Sequence, residues 1–112
     1  MSDIEKLRWK NKRRLAKIHK LKQENRVLSS RRKSCYKEVK AWFSKYNNSG
    51  NSQALLWLNE INRISEKIGR NSAKILRLRT LIKQSEVQIE KVKLSYSFFN
   101  FKSQFRKNPK RN

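Results

Sequence analysis

Lys6, Lys10, Arg13, Lys17 and Lys20 follow one another at spacings of 4, 3, 4 and 3 residues, and Arg63, Lys67, Arg70, Lys74 and Arg77 repeat the same spacings. On an α-helix such steps keep side chains on one face, so each set reads as a straight line of positive charge. The chemistry open to such a line is anion binding. Lysine supplies a point charge, and arginine a planar fork that matches phosphate oxygens. A polymer with evenly spaced phosphates is the natural complement. Arg31 supplements the lines, and Glu24 and Glu60 are expected to mark their ends.

Other chemistry has little to stand on. His19 is the sole histidine and Cys35 the sole cysteine, and their helical positions set them on different faces, so they form neither a metal site nor a nucleophile–base pair. Glu86 and Glu90 share a helical face, but Lys83 and Lys93 flank them, which points to surface ion pairing. A phosphate-cradling glycine loop is ruled out by a chain with only two glycines. The expectation is a protein that is not an enzyme, with no catalytic residue, cofactor, metal or small-molecule substrate.

Long helices must position these cations. Every seventh residue from Ala54 reads Ala54, Ile61, Ile68, Ile75, Ile82, Ile89 and Tyr96. Three residues further on come Trp57, Ile64, Asn71, Leu78, Ser85, Val92 and Phe99. This is a heptad a/d seam, the signature of a coiled-coil helix. A more polar frame runs through the first half, with Ile4, Asn11, Ile18, Asn25, Arg32, Val39 and Tyr46 at a. Leu7, Arg14, Leu21, Leu28, Cys35 and Trp42 stand at d. In both frames the cation lines fall at c and g.

The only concentrated turn signal is Asn47 to Ser52, where Gly50 or an asparagine suits a left-handed C-cap. The prediction is an all-α fold: helix 4–46, loop 47–52, and helix 53–99 or slightly beyond, closing as an antiparallel hairpin over residues 1–105. Residues 106–112 are expected to form a flexible basic tail. The register that pairs residues whose numbers sum to 96 sets Asn25 level with Asn71 and Asn11 level with Ser85, so that polar seam groups meet each other. In that register both cation lines lie on the same edge and run end to end over about 40 Å, the length of roughly twelve base pairs.

Two ends and one edge carry further apolar groups. Trp42, Phe43 and Tyr46 are expected to meet Leu55, Leu56, Trp57 and Leu58 near the loop. Tyr96, Phe98, Phe99, Phe101 and Phe105 are expected to gather near Leu7 and to cover Trp9. Leu15, Tyr36, Phe43 and Leu58, at e positions, suggest that two hairpins pair as a homodimeric four-helix bundle.

Composition narrows the partner. The 112 residues carry 30 Lys and Arg against 8 Asp and Glu, a formal net charge of +22. Charge of one sign at this density repels itself and is relieved by a polyanion. A membrane is disfavoured, because the longest apolar run is only Ala54–Leu58 and the apolar stripe is committed to the seam. The lone cysteine and the charged first residues suggest an intracellular, reducing setting, cytoplasmic or nuclear, rather than secretion.

Residues 21–28 around Asn25 resemble one heptad of a leucine zipper, and the basic residues before them resemble a bZIP basic region. Asn11 is not followed by the Ala-Ala that base reading there uses, which leaves only shared coiled-coil vocabulary. Even lines of cations suit phosphate contacts, which give affinity without sequence information. The expected function is sequence-independent nucleic-acid binding, with duplex RNA first and duplex DNA possible. In size, charge and helicity the chain resembles small viral suppressors of RNA silencing, which implies a duplex-coating role. The alternative is a coiled-coil assembly protein that docks into a ribonucleoprotein or onto an acidic partner.

Overall fold

The computed structural model describes residues 2–46 and 52–107, with side chains at 2–45 and 52–101. Two helices, α1 (Asp3–Tyr46) and α2 (Ser52–Lys107), pack along each other as an antiparallel hairpin. The expected C-cap at residues 47–51 and positions 108–112 of the tail expected at 106–112 lie outside the described residues, whereas positions 106 and 107 belong to α2.

The start of α1 is set by a capping box. Ser2 Oγ accepts a hydrogen bond from the Glu5 backbone N–H at 3.2 Å, and the Ser2 N–H donates to Glu5 Oε2 at 3.4 Å. Two backbone donors that the helix leaves open are thereby satisfied. From there α1 runs 44 residues without glycine or proline.

The seam follows the heptad frames. Near the loop, Cys35, Val39, Ile61 and Ile64 are buried, with Leu28, Trp57, Leu58 and Ile68 packed against them. Further along, Ile18, Leu21 and Ile75 form a second cluster flanked by Leu78 and Ile82. Each buried Ile or Leu stabilises the pairing by about 1.5–3 kcal/mol. No thicker core exists among the described residues, so the fold rests on this single stripe.

Polar layers punctuate the stripe. Asn71 Nδ2 donates to Asn25 Oδ1 at 3.0 Å, and Asn25 Nδ2 reaches Ser72 Oγ at 3.5 Å. The register is therefore the one in which paired numbers sum to 96. Toward the open end, Arg14 Nη1 donates both to Asn11 Oδ1 at 2.9 Å and to Ser85 Oγ at 2.8 Å. Asn11 and Ser85 thus meet through the Arg14 guanidinium, a bridge that pairing by level alone does not reveal. Arg32, also on the seam, donates to Ser65 Oγ at 3.2 Å.

The two ends depart from expectation. The helices are unequal: α2 has 56 residues against 44 in α1. In the observed register Asp3 stands level with Lys93, so residues 94–107 run on for about 21 Å past the start of α1. The helix continues because no glycine or proline interrupts it before Pro109. Tyr96, Phe98, Phe99 and Phe101 consequently lie beyond Leu7 and Trp9, and all four are exposed. They do not form the expected cluster around Trp9. Near the loop, Trp57 and Leu58 join the core while Leu55 and Leu56 stay exposed, so the expected end-core forms only in part. Trp57 Nε1 is buried with no hydrogen-bond partner.

Candidate nucleic-acid interface

All eleven cations expected to contact nucleic acid are exposed: Lys6, Lys10, Arg13, Lys17, Lys20, Arg31, Arg63, Lys67, Arg70, Lys74 and Arg77. Hydrophobic burial at a and d positions them, because it turns the c and g positions of both helices toward one edge.

Ion pairs across that edge give its spacing. Arg31 Nη2 meets Glu60 Oε1 at 3.1 Å, and Lys67 Nζ meets Glu24 Oε1 at 3.3 Å. Both pairs join g positions one heptad apart. The next step along the same ladder sets Lys17 opposite Lys74, and the one after sets Lys10 opposite Leu81. Arg13 and Lys20 flank Lys17 on α1, and Arg70 and Arg77 flank Lys74 on α2.

The edge therefore has two parts. Near the loop, Glu60 also receives Arg63 at 3.6 Å, so Arg31, Arg63 and Lys67 are all tied to acids. Toward the open end, Lys6, Lys10, Lys17, Lys20, Arg70, Lys74 and Arg77 have no ion pair among the described residues. Together with Arg13 they span about 30 Å of rod. Glu24 follows Lys20 at the end of the α1 line, and the fold also sets it opposite Lys67 of the α2 line. Reading each helix alone hid this; stepping the register along the g positions reveals it.

Glu24 senses its surroundings. Hydrogen bonding from Lys67 first, then from Asn71, holds its carboxyl below the usual carboxylate range, against a weaker opposing effect of burial. The positive charges of Lys67 and Lys74 act in the same direction. A charge-assisted contact therefore ties the polar seam layer to the basic edge.

One aromatic belongs to this region. The Arg13 guanidinium lies over the Trp9 ring, 4.9 Å from its centroid, within the range of a cation–π contact. Trp9 is 52 % exposed. The ring holds Arg13 on the α1 surface within the open-end part of the track.

No family model matches this sequence, and neither the curated proteins nor the solved structures provide a match. Function must therefore be read from the geometry itself.

Among the described residues no group of three or more His, Cys, Asp or Glu is placed to hold a metal ion. Cys35 is sealed in the seam at 2 % exposure, and His19 is exposed on the opposite side of α1's heptad. No described helix is long and apolar enough to cross a membrane. On the other edge, Leu15, Tyr36 and Phe43 are exposed, whereas Leu58 is drawn into the core.

Proposed function

We propose that this hairpin binds duplex nucleic acid without reading its sequence, and that duplex RNA is its preferred ligand. The observation that supports this most is the merging of two cation lines around Lys17 and Lys74. There, like charges from both helices face each other one heptad beyond the Glu24–Lys67 pair. Folding places them so at an electrostatic cost, and a polyanion relieves that cost.

An elongated helical hairpin with cations along one edge suits a phosphate ridge. The deep, narrow major groove of duplex RNA excludes side chains, so proteins recognise it through backbone and shape. Single strands are engaged through aromatic platforms interleaved with cations, and on this edge Trp9 alone is of that kind. A rod that lies along a duplex shields it, which is the physical content of a duplex-coating role like that of a silencing suppressor. The buried, reduced Cys35 fits an intracellular place of action.

The test is binding to duplex RNA, duplex DNA, single-stranded RNA and single-stranded DNA of matched length, each across a salt series. About five phosphates engaged give a log–log slope near −4.5 on B-form duplex. Tight duplex RNA binding with a slope of that order is the expected result. Equal, weak binding to all four that vanishes at physiological salt overturns the reading and favours an assembly role within a larger ribonucleoprotein.

A further inference from the structure

Arg14 stands where a coiled coil favours leucine, at a d position of α1 between Leu7 and Leu21. It is half-buried, and both of its hydrogen bonds use Nη1, to Asn11 Oδ1 at 2.9 Å and to Ser85 Oγ at 2.8 Å. These partners are neutral and themselves buried, at 9 % and 7 % exposure. Among the described residues no acid forms an ion pair with Arg14. A guanidinium also carries donors on Nε and Nη2, and these make no hydrogen bond to the described residues. A charge withdrawn from water without a counter-charge destabilises a fold. In a chain of net charge +22 that cost is compounded.

Alignment of the helices does not account for it. Register is already fixed by Asn25 and Asn71, and a neutral donor at position 14 would serve Asn11 and Ser85 without a charge. What distinguishes Arg14 is its neighbourhood. A d position borders the g edge of the hairpin, which is the basic edge. Lys10 stands four residues before Arg14 and Lys17 three after it, so both are its neighbours on the helix surface, about 5–6 Å away between Cβ atoms. Across the seam Lys10 faces Leu81, which is half-buried and carries no charge. At this level Arg14 lies closer to the seam than the exposed lysines on either side of it.

We propose that Arg14 is a phosphate-binding residue, and that one backbone phosphate of the bound duplex seats over it between Lys10 and Lys17. This deepens the nucleic-acid reading and rests on it. The Nη1 bonds to Asn11 and Ser85 hold the guanidinium in one orientation, and the planar fork offers its remaining donors to phosphate oxygens. The two lysines add point charge. A phosphate held in this way sets the position of the hairpin along the duplex backbone. Sequence stays unread, because every nucleotide presents the same phosphate. The charge that weakens the seam of the free protein is neutralised in the complex.

Arg32 supplies the comparison. It too is a half-buried seam arginine, with Ser65 Oγ as its partner at 3.2 Å and no ion pair among the described residues. Its a position borders the e edge, away from the cation lines. The two arginines share charge and chemistry and differ in the edge they border.

Duplex RNA binding by the full chain, followed by fluorescence anisotropy across a salt series, tests the proposal. Arg14→Gln removes the charge and keeps an amide donor for Asn11 and Ser85. It is expected to weaken binding about tenfold, as the loss of one charge-assisted hydrogen bond does, and to flatten the log–log salt slope by about 1. Its thermal midpoint should be no lower than that of wild type, since a half-buried charge has gone. Arg32→Gln removes the same charge and is expected to change affinity less than about twofold, because it borders the other edge. Arg14→Lys keeps a cation without the fork, so its salt slope should match wild type. Equal losses in the two glutamine variants overturn the proposal, because net charge then explains both. An affinity loss in Arg14→Gln that accompanies a lower thermal midpoint also overturns it, since Arg14 is then a structural bridge. So does a slope for Arg14→Lys as flat as that for Arg14→Gln. Wild type that does not bind duplex overturns the nucleic-acid reading and this proposal together. Wild type that binds, with Arg14→Gln binding equally well, overturns this proposal alone.

Discussion

Asn71 donates to Asn25 across the seam at 3.0 Å, and this one contact stands between two apolar clusters, Cys35–Val39–Ile61–Ile64 on one side and Ile18–Leu21–Ile75 on the other. Polar pairs in a coiled-coil seam cost stability and specify alignment. A slip of one heptad would face Asn25 with Leu78 in one direction or Ile64 in the other and leave its amide without a partner.

Asn71→Ala should therefore destabilise the hairpin by about 1–3 kcal/mol, because it leaves Asn25 Oδ1 unsatisfied. The loss falls toward the lower end, since Asn25 keeps its contact to Ser72. Replacing both, as Asn25→Ile with Asn71→Leu, should restore the midpoint of denaturant unfolding or raise it. A midpoint unmoved by the single change contradicts the assigned layer.

Ile75 and Leu76 are neighbours about 100° apart around α2, 8 % and 67 % exposed. Ile75→Asp should cost about 3–5 kcal/mol by burying an unpaired charge and emptying a core site. Leu76→Asp should shift the thermal midpoint little. Equal effects of the two would show that the heptad frame is wrong by one residue.

How far this was legible in the sequence follows from the same physics. Asn25 and Asn71 fixed the register in advance, because buried amides have few acceptable partners. The length of α2 was harder to read. After Phe99 the heptad loses its apolar positions, and a fading seam looks like a helix end although nothing breaks the helix until Pro109. The Glu24–Lys67 pair was hidden because a line of charge on one helix says nothing about what the other helix brings to it. Arg14 reads as a polar seam residue, but its bridge to both Asn11 and Ser85 depends on the reach of a long side chain, which numbering does not carry.

The two parts of the basic edge make different predictions for the same loss of charge. Arg70→Gln with Arg77→Gln should lower duplex affinity more than Arg31→Gln with Arg63→Gln, because the latter two are already tied to Glu60. The first pair should also flatten the log–log salt slope by about 1.8 on B-form duplex. Arg70→Glu with Arg77→Glu should abolish binding with helicity retained. Equal losses for both neutralised pairs, measured by fluorescence anisotropy, would mean that net charge alone drives binding.

Glu24 gives the hairpin a dependence on acid. Its folded pKa lies below the unfolded value of 4.5, so its contribution is fully present above that value. It is lost as pH falls through the lower folded value, where the carboxyl is protonated. The thermal midpoint of the wild type should therefore drop below pH 4.5 by slightly more than that of Glu24→Gln. The difference is small because the group is exposed to solvent. Parallel curves for the two proteins would remove Glu24 from the account of the seam.

The polar layers also determine how the rod comes apart. Apolar clusters separated by hydrogen-bonded layers act as compartments, each closed at its ends by groups that tolerate water better than isoleucine does. Fraying that begins at Asp3 meets first the Arg14 bridge and then the Asn25–Asn71 pair. Each is a place where an opening front can halt with its exposed polar groups solvated. The molecule is thus a zip with stops, in which the cation-bearing half can breathe while the half nearest the loop stays shut.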